Sequence, residues 1–154
     1  MIQTYNELQS QSPTHKYIKS VERDGETTHY YYHFPMTLNI ECDIRHERNK
    51  LLKEKLSQLS TLRDTKLSQS TVTYKDLITR VREKDITTLS SLALVGGTYI
   101  FENGTLSLTT TQAKEILKLI NEKRTEIITW KQEQECKIKS MELIDLCYLN
   151  VNIM

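Results

Sequence analysis

The sequence predicts an α+β fold, with an N-terminal antiparallel β-hairpin or small sheet, two long amphipathic helices, and a short helix plus a β-hairpin between them. Three observations carry this expectation. From Thr109 to Met141 apolar residues recur every three or four positions, at Ala113, Ile116, Leu117, Ile120, Ile127, Trp130, Ile138 and Met141, which lays most of them on one helical face. A second run with the same mixed spacing extends from Asp43 to about Gln69, through Ile44, Leu51, Leu52, Leu56, Leu59, Leu62 and Leu67. Asp24-Gly25 and Asn103-Gly104 each lie between short stretches rich in Thr, Tyr and aliphatic residues, and such dipeptides tolerate the positive φ values of a type I′ hairpin turn.

Taken in order, Met1 to Pro13 is polar and irregular, with Tyr5 and Leu8 able to anchor a short turn or strand. Lys16 to Phe34 reads as a hairpin about Asp24-Gly25. Met36, Leu38, Ile40 and Cys42 then alternate, the pattern of a third strand. Asp43 is expected to N-cap the first long helix. Ser68 to Val81 reads as two short strands joined near Lys75-Asp76, and Ile86 to Val95 as a three-turn helix with Gly96 at its C-terminal cap. Strands at Thr98–Phe101 and Thr105–Leu108 flank Asn103-Gly104. Any of Thr109, Thr110 and Thr111 can cap the second long helix, with Glu115 near its positive end. Met141 to Tyr148 forms a short apolar tail helix. The composition shift at residue 42 suggests an N-terminal β module, 1–42, and a helical α+β domain, 43–154.

At 154 residues the chain is long enough to bury a real core but too short for two large domains. Twenty-one Lys and Arg against twenty Asp and Glu give a formal net charge of +1, without the excess of base a dedicated nucleic-acid binder carries. No run approaches the ~18 apolar residues that span a bilayer, and the N-terminus has no basic-then-apolar signal pattern, so synthesis in the cytoplasm is expected with no membrane partner. Cys42, Cys136 and Cys147 are odd in number and widely spaced, which points to buried reduced thiols rather than a disulfide framework or a thiolate zinc site. Four glycines and no Gly-rich motif leave no phosphate-cradling loop.

No catalytic residue, cofactor site or metal site is assigned. His29 and His33, an even number of positions apart on one strand, share a face and could join His46 or Asp43 around a metal, but nothing fixes a third ligand. Nucleophile-elbow and zincin motifs are absent. Glu83, Asp85 and Asp76 cluster near the middle turn, where acid–base roles are conceivable and turn formation and helix capping explain them more simply. The expected partner surface is built from three consecutive tyrosines, Tyr30, Tyr31 and Tyr32, which must point to alternating faces so that at least one ring leaves the core, together with Arg45 and Arg48 of the basic helix and Trp130.

From about Leu59 to the end, the order of residues resembles a domain family that recurs in phage and prophage proteins encoded near tail-fibre genes. The features that carry the resemblance are Leu62-Arg63-Asp64-Thr65-Lys66-Leu67 ending a helix, the Val72-Thr73-Tyr74 strand, the Asp85-Ile86 helix start, a hairpin through Tyr99 and Leu108, Leu108-Thr109 entering the long helix, and Lys137-Ile138 before Leu143-Ile144-Asp145. Tyr74-Lys75-Asp76 stands where the family pattern has a Gly after its Tyr-Asp. Upstream, Ile44 to Leu52 resembles the Arg-rich lead-in helix of small tail-fibre assembly proteins. The resemblance implies a non-enzymatic tail-associated protein, an assembly chaperone for a fibre or a small tail component, made in the bacterial host cytoplasm and present in the virion tail if it is a component. Its partner would be a tail or tail-fibre protein. The other reading from the residues is a small phage-encoded regulator or inhibitor that grips nucleic acid or a host protein through the basic helix 45–66. The second long helix, at about 1.5 Å per residue, is roughly 45 Å long. That exceeds what a compact domain of about a hundred residues needs, so one end must protrude or find a partner, either the first helix of its own chain or the same helix in a homo-oligomer.

Overall fold

The computed structural model describes all residues from Met1 to Met154 and bears out the α+β class. Its contacts divide the chain into one unit formed by Met1–Lys55 with Ile138–Asn150, and a second formed by Leu56–Lys137 with Val151–Met154. The division expected at residue 42 falls inside the first of these.

The first unit holds a three-stranded antiparallel sheet of β1 (Ile2–Tyr5), β2 (His15–Arg23) and β3 (Glu26–His33), in the order β1-β3-β2. The β2–β3 turn is the expected one, with Asp24 and Gly25 at φ of 53° and 79°. From Glu22 to Thr27 every residue is exposed, so the tip of this hairpin extends past the short β1 and covers nothing. A bulge at Ile18 shifts the register between Tyr17 and Lys19: Lys19 pairs with Tyr30, whereas Tyr17 pairs with Tyr31 and His15 with His33. One face of the sheet packs Tyr32 against Leu143 and Ile144 of the tail helix α4 (Leu143–Tyr148), with Ile2, Phe34, Ile44 and Leu51 around them.

The long helix α1 (Ile40–Gln69) begins earlier than the sequence suggests. Residues 36–42 form no strand; Met36 and Leu38 stand fully in solvent, and the Cys42 N–H donates to Asn39 Oδ1 at 3.2 Å. Asn39 is therefore the N-cap, and Asp43 a first-turn acid beside Glu41. The alternation of Met36, Leu38, Ile40 and Cys42 imitates a strand, but its first two members face water and its last two belong to the helix.

The second unit contains the end of α1 and two hairpins, β4 (Thr71–Tyr74) with β5 (Leu77–Arg80) and β6 (Gly97–Phe101) with β7 (Gly104–Leu108). Between the hairpins lies α2 (Glu83–Val95), and after them α3 (Thr110–Ser140). The hairpins are joined where the Glu102 N–H donates to the Ile78 carbonyl at 2.8 Å and the Ile78 N–H to Asn103 Oδ1 at 2.7 Å. Gly96 follows α2 at φ 71°, and a Cβ there would come within 3.0 Å of the Leu108 carbonyl, so the residue between α2 and β6 has to be glycine. Thr109 caps α3 reciprocally: the Gln112 N–H donates to Thr109 Oγ1 at 3.3 Å and the Thr109 N–H to Gln112 Oε1 at 2.9 Å. Val81, Leu89, Tyr99, Phe101 and Leu108 close over Ala113, Ile116 and Ile120 of α3. Leu59 of α1 is wholly buried, Lys66 lies over the Trp130 ring, and Ser70 borders the same hollow as Lys123, so the end of α1 runs antiparallel to α3 within the unit.

Tyr32 offers a direct check on the first unit, because its hydroxyl accepts the Ile144 N–H at 2.9 Å in the first turn of α4, where helical amides have no partner of their own. Tyr32→Phe keeps the ring and orphans that buried amide. The expected cost is about 1–2 kcal/mol. Hydrogen exchange should show the Ile144 amide losing protection while the Ile116 and Ile120 amides keep theirs.

Candidate functional site

The sequence-derived partner surface is only partly free. Tyr32 is spent in the first unit's core, and Tyr31 is 4% exposed on the opposite face. There it is enclosed edge-on by the rings of Tyr5 and Tyr17 at centroid distances of 5.6 and 5.5 Å, and its hydroxyl accepts the Gln9 N–H at 3.0 Å. Tyr30 is half-buried beside Tyr32. Both faces of the sheet are thus covered, and the expected exposed tyrosine comes from β2 instead: Tyr17 is 49% exposed. Sequence reasoning missed it because the face on which Tyr17 lies is set by the bulge beside it.

Of the basic helix, Arg48 donates to the carbonyls of Lys139 at 2.8 Å and Met141 at 2.9 Å. These carbonyls lie in and just after the last turn of α3, where helical acceptors are unpaired and the helix dipole favours a cation. Lys55 donates to the Leu149 carbonyl at 2.9 Å, and Arg63 pairs with its neighbour Asp64 at 2.6 Å. Arg45 and Lys53 remain exposed. Much of the basic character from 45 to 66 is therefore engaged inside the chain. Trp130 is half-buried, one face of its indole covered by the Lys66 ammonium at 4.5 Å from the ring centre.

The titratable clusters have structural partners. His29 Nδ1 and Ser20 Oγ are 2.5 Å apart, with the Tyr17 hydroxyl 2.8 Å beyond. His33 shares a face with His29, as its parity requires, but stacks on His15 with ring centres 4.1 Å apart. His15 is held by Thr14 at 3.1 Å and lies 3.2 Å from the Tyr5 hydroxyl. His46 stands apart on α1, and no three His, Cys, Asp or Glu side chains converge as metal ligands. Asp85 accepts from Arg82 at 2.8 Å and from the Tyr99 hydroxyl at 3.3 Å, Glu83 pairs with Arg124, and the Asp76 carbonyl accepts from Asn103. Tyr99, burial of whose phenol raises its pKa above 10, also shares a 2.7 Å hydrogen bond with the buried Thr79 hydroxyl. These groups pin the two hairpins and α2 together. The three cysteines are free but exposed, which corrects the expectation of buried thiols.

What remains available is surface. In the first unit Leu8, Tyr17, Met36 and Leu38 stand in solvent, and an open hollow of about 810 Å³ is lined by Leu8, Gln9, Tyr17 and Glu41. In the second, Leu94, Val95 and Ile100 are exposed, and a shallow groove of about 870 Å³ runs along the outward face of α3. No helix is long and apolar enough to cross a membrane. No protein-family model, curated protein or solved structure matches the chain.

The stacked imidazoles give a pH prediction. Burial, then the adjacent His15, then the N-terminal ammonium hold the His33 pKa below 6.5, so its neutral form is the one the fold favours. A depressed histidine pKa contributes stability above the unfolded value of about 6.5 that is lost as pH falls through the folded value. Urea midpoints followed downward from pH 7 should fall for the wild type, and fall less for His33→Asn.

Proposed function

We propose that this chain is a non-enzymatic tail-associated protein of a phage or prophage, acting as an assembly chaperone for a fibre or as a small tail component. The observation that carries the reading is the resemblance running from about Leu59 to the end, through Val72-Thr73-Tyr74, Leu108-Thr109 and Leu143-Ile144-Asp145. Its physical support is the distribution of exposed side chains: Leu8, Tyr17, Met36 and Leu38 in one unit, and Leu94, Val95 and Ile100 in the other, offer apolar contact to another protein. The partner is a tail or tail-fibre protein, met in the cytoplasm of the bacterial host. The clusters at His29, His33 and Asp85 serve the fold, and no reaction is assigned to them.

Co-expression with the fibre protein encoded beside it tests the reading. The expected result is co-elution of the two and a larger yield of assembled fibre. A fibre that assembles equally well alone, with no co-elution and none of this chain in purified virions, would sink both forms of the proposal. Met36→Ser with Leu38→Ser, at positions that support no packing, should weaken co-elution by roughly tenfold if this loop is part of the contact.

A further inference from the structure

Asn103 lies in the turn between the paired Phe101 and Gly104, and its side-chain amide is used at both ends. Oδ1 accepts the Ile78 N–H at 2.7 Å while Nδ2 donates to the Asp76 carbonyl at 2.9 Å, so one exposed side chain grips the backbone of the β4–β5 hairpin on both sides of Leu77. The Glu102 N–H on the Ile78 carbonyl, at 2.8 Å, extends this seam. A carboxylate at 103 could not donate to Asp76, and a glutamine would be a methylene too long. The next residue is constrained as well: a Cβ on Gly104 would come within 2.9 Å of Leu77 Cδ2. The seam thus asks for an amide at 103 and no side chain at 104, and of the seven asparagines in the chain only Asn103 precedes a glycine. That adjacency is chemically labile, because a glycine nitrogen has no Cβ beside it to hinder its approach to the neighbouring side-chain carbonyl.

We propose that Asn103 is a site of spontaneous deamidation, held in check by the hydrogen bonds its amide makes, and that the reaction, once it has occurred, unlatches the two hairpins permanently. In the first step the Gly104 nitrogen gives its proton to solvent base and bonds to Asn103 Cγ. The Cγ–Nδ2 bond breaks, ammonia leaves, and a cyclic succinimide remains. Water then opens the ring at one carbonyl or the other, which leaves aspartate or isoaspartate at position 103; overall, water is consumed and ammonia released. The closed seam opposes the first step, since attack needs the amide plane turned and the Gly104 peptide freed from its rung opposite Phe101. The native rate is therefore the rate of the open hairpin multiplied by the fraction of time the seam is open. Both products damage the seam. A carboxylate still accepts from Ile78 but sets an acceptor against the Asp76 carbonyl, where a donor stood. Isoaspartate adds a methylene to the main chain inside a tight turn and moves Gly104 off its partner. The inference concerns this seam alone and stands or falls apart from any role at a tail.

Peptide mass mapping of the full chain, kept in mildly alkaline buffer with and without denaturing urea, tests it. In urea, position 103 should be the first asparagine to take the mass gain of an amide-to-acid exchange. In the native protein the same conversion should run slower by about tenfold or more, because it waits on opening of the seam. Asn103→Asp starts from one of the products, and hydrogen exchange should find its Glu102 amide about tenfold faster than in the wild type, with the Ile116 and Ile120 amides still protected. That protection shows that the variant is folded. A native protein that converts at 103 as fast as the unfolded chain, a position 103 no more labile in urea than the other asparagines, or an Asn103→Asp variant whose Glu102 amide exchanges like the wild type's each overturns the proposal.

Discussion

The apolar stripe of α3 from Ala113 to Ile127 is the constraint on which the second unit depends. A single helix cannot remove such a stripe from water, and each of the four strands that serve it is only four or five residues long. An isolated two-stranded ribbon is marginal in water, so neither hairpin can be the scaffold. Stability comes instead from several short elements laid on one long one. The polar contacts that hold them there are few and specific: Tyr74 donates to Glu115 at 2.7 Å, Arg124 reaches the Val81 carbonyl at 2.9 Å, and Thr79 meets Tyr99. Each ties a strand or its end to α3, or one hairpin to the other.

Much of this was legible before any coordinates. The period of three and four in α1 and α3 survives because an apolar stripe must face one way along a helix, and Asp24-Gly25 and Asn103-Gly104 mark turns whose φ values few other pairs tolerate. The start of α1 was not legible, since Met36, Leu38, Ile40 and Cys42 satisfy the period of a strand as well as they satisfy nothing. Only the reach of Asn39 to the Cys42 amide separates the two cases, and sequence spacing does not contain it.

The candidate surface was the less readable part, for a reason that lies in one residue. Counting outward from the Asp24-Gly25 turn without interruption would set Tyr17 against Tyr32 and His15 against Phe34. The extra residue at Ile18 moves both by one, so that Tyr17 and Tyr5 close over Tyr31, and His15 stacks on His33. A one-residue shift exchanges the faces of a strand. Arg48 shows the opposite difficulty: a cation in a charged helix reads as a surface group, but its guanidinium serves the carbonyls at and after the last turn of α3, ninety or so residues away in sequence.

The tip of the β2–β3 hairpin, from Glu22 to Thr27, holds its ladder with no core beneath it. Its free energy of opening is consequently decoupled from that of the sheet at its root, which Tyr31 and Tyr32 anchor on two sides. Such a segment exchanges its amide protons early and lies where proteases nick first. It is also the place where the chain can grow. An insertion between Asp24 and Gly25 lengthens a loop whose closure cost rises only with the logarithm of its length, and it displaces no buried side chain. Divergence in this protein's length should therefore gather at that turn rather than at the glycine-constrained junction after α2.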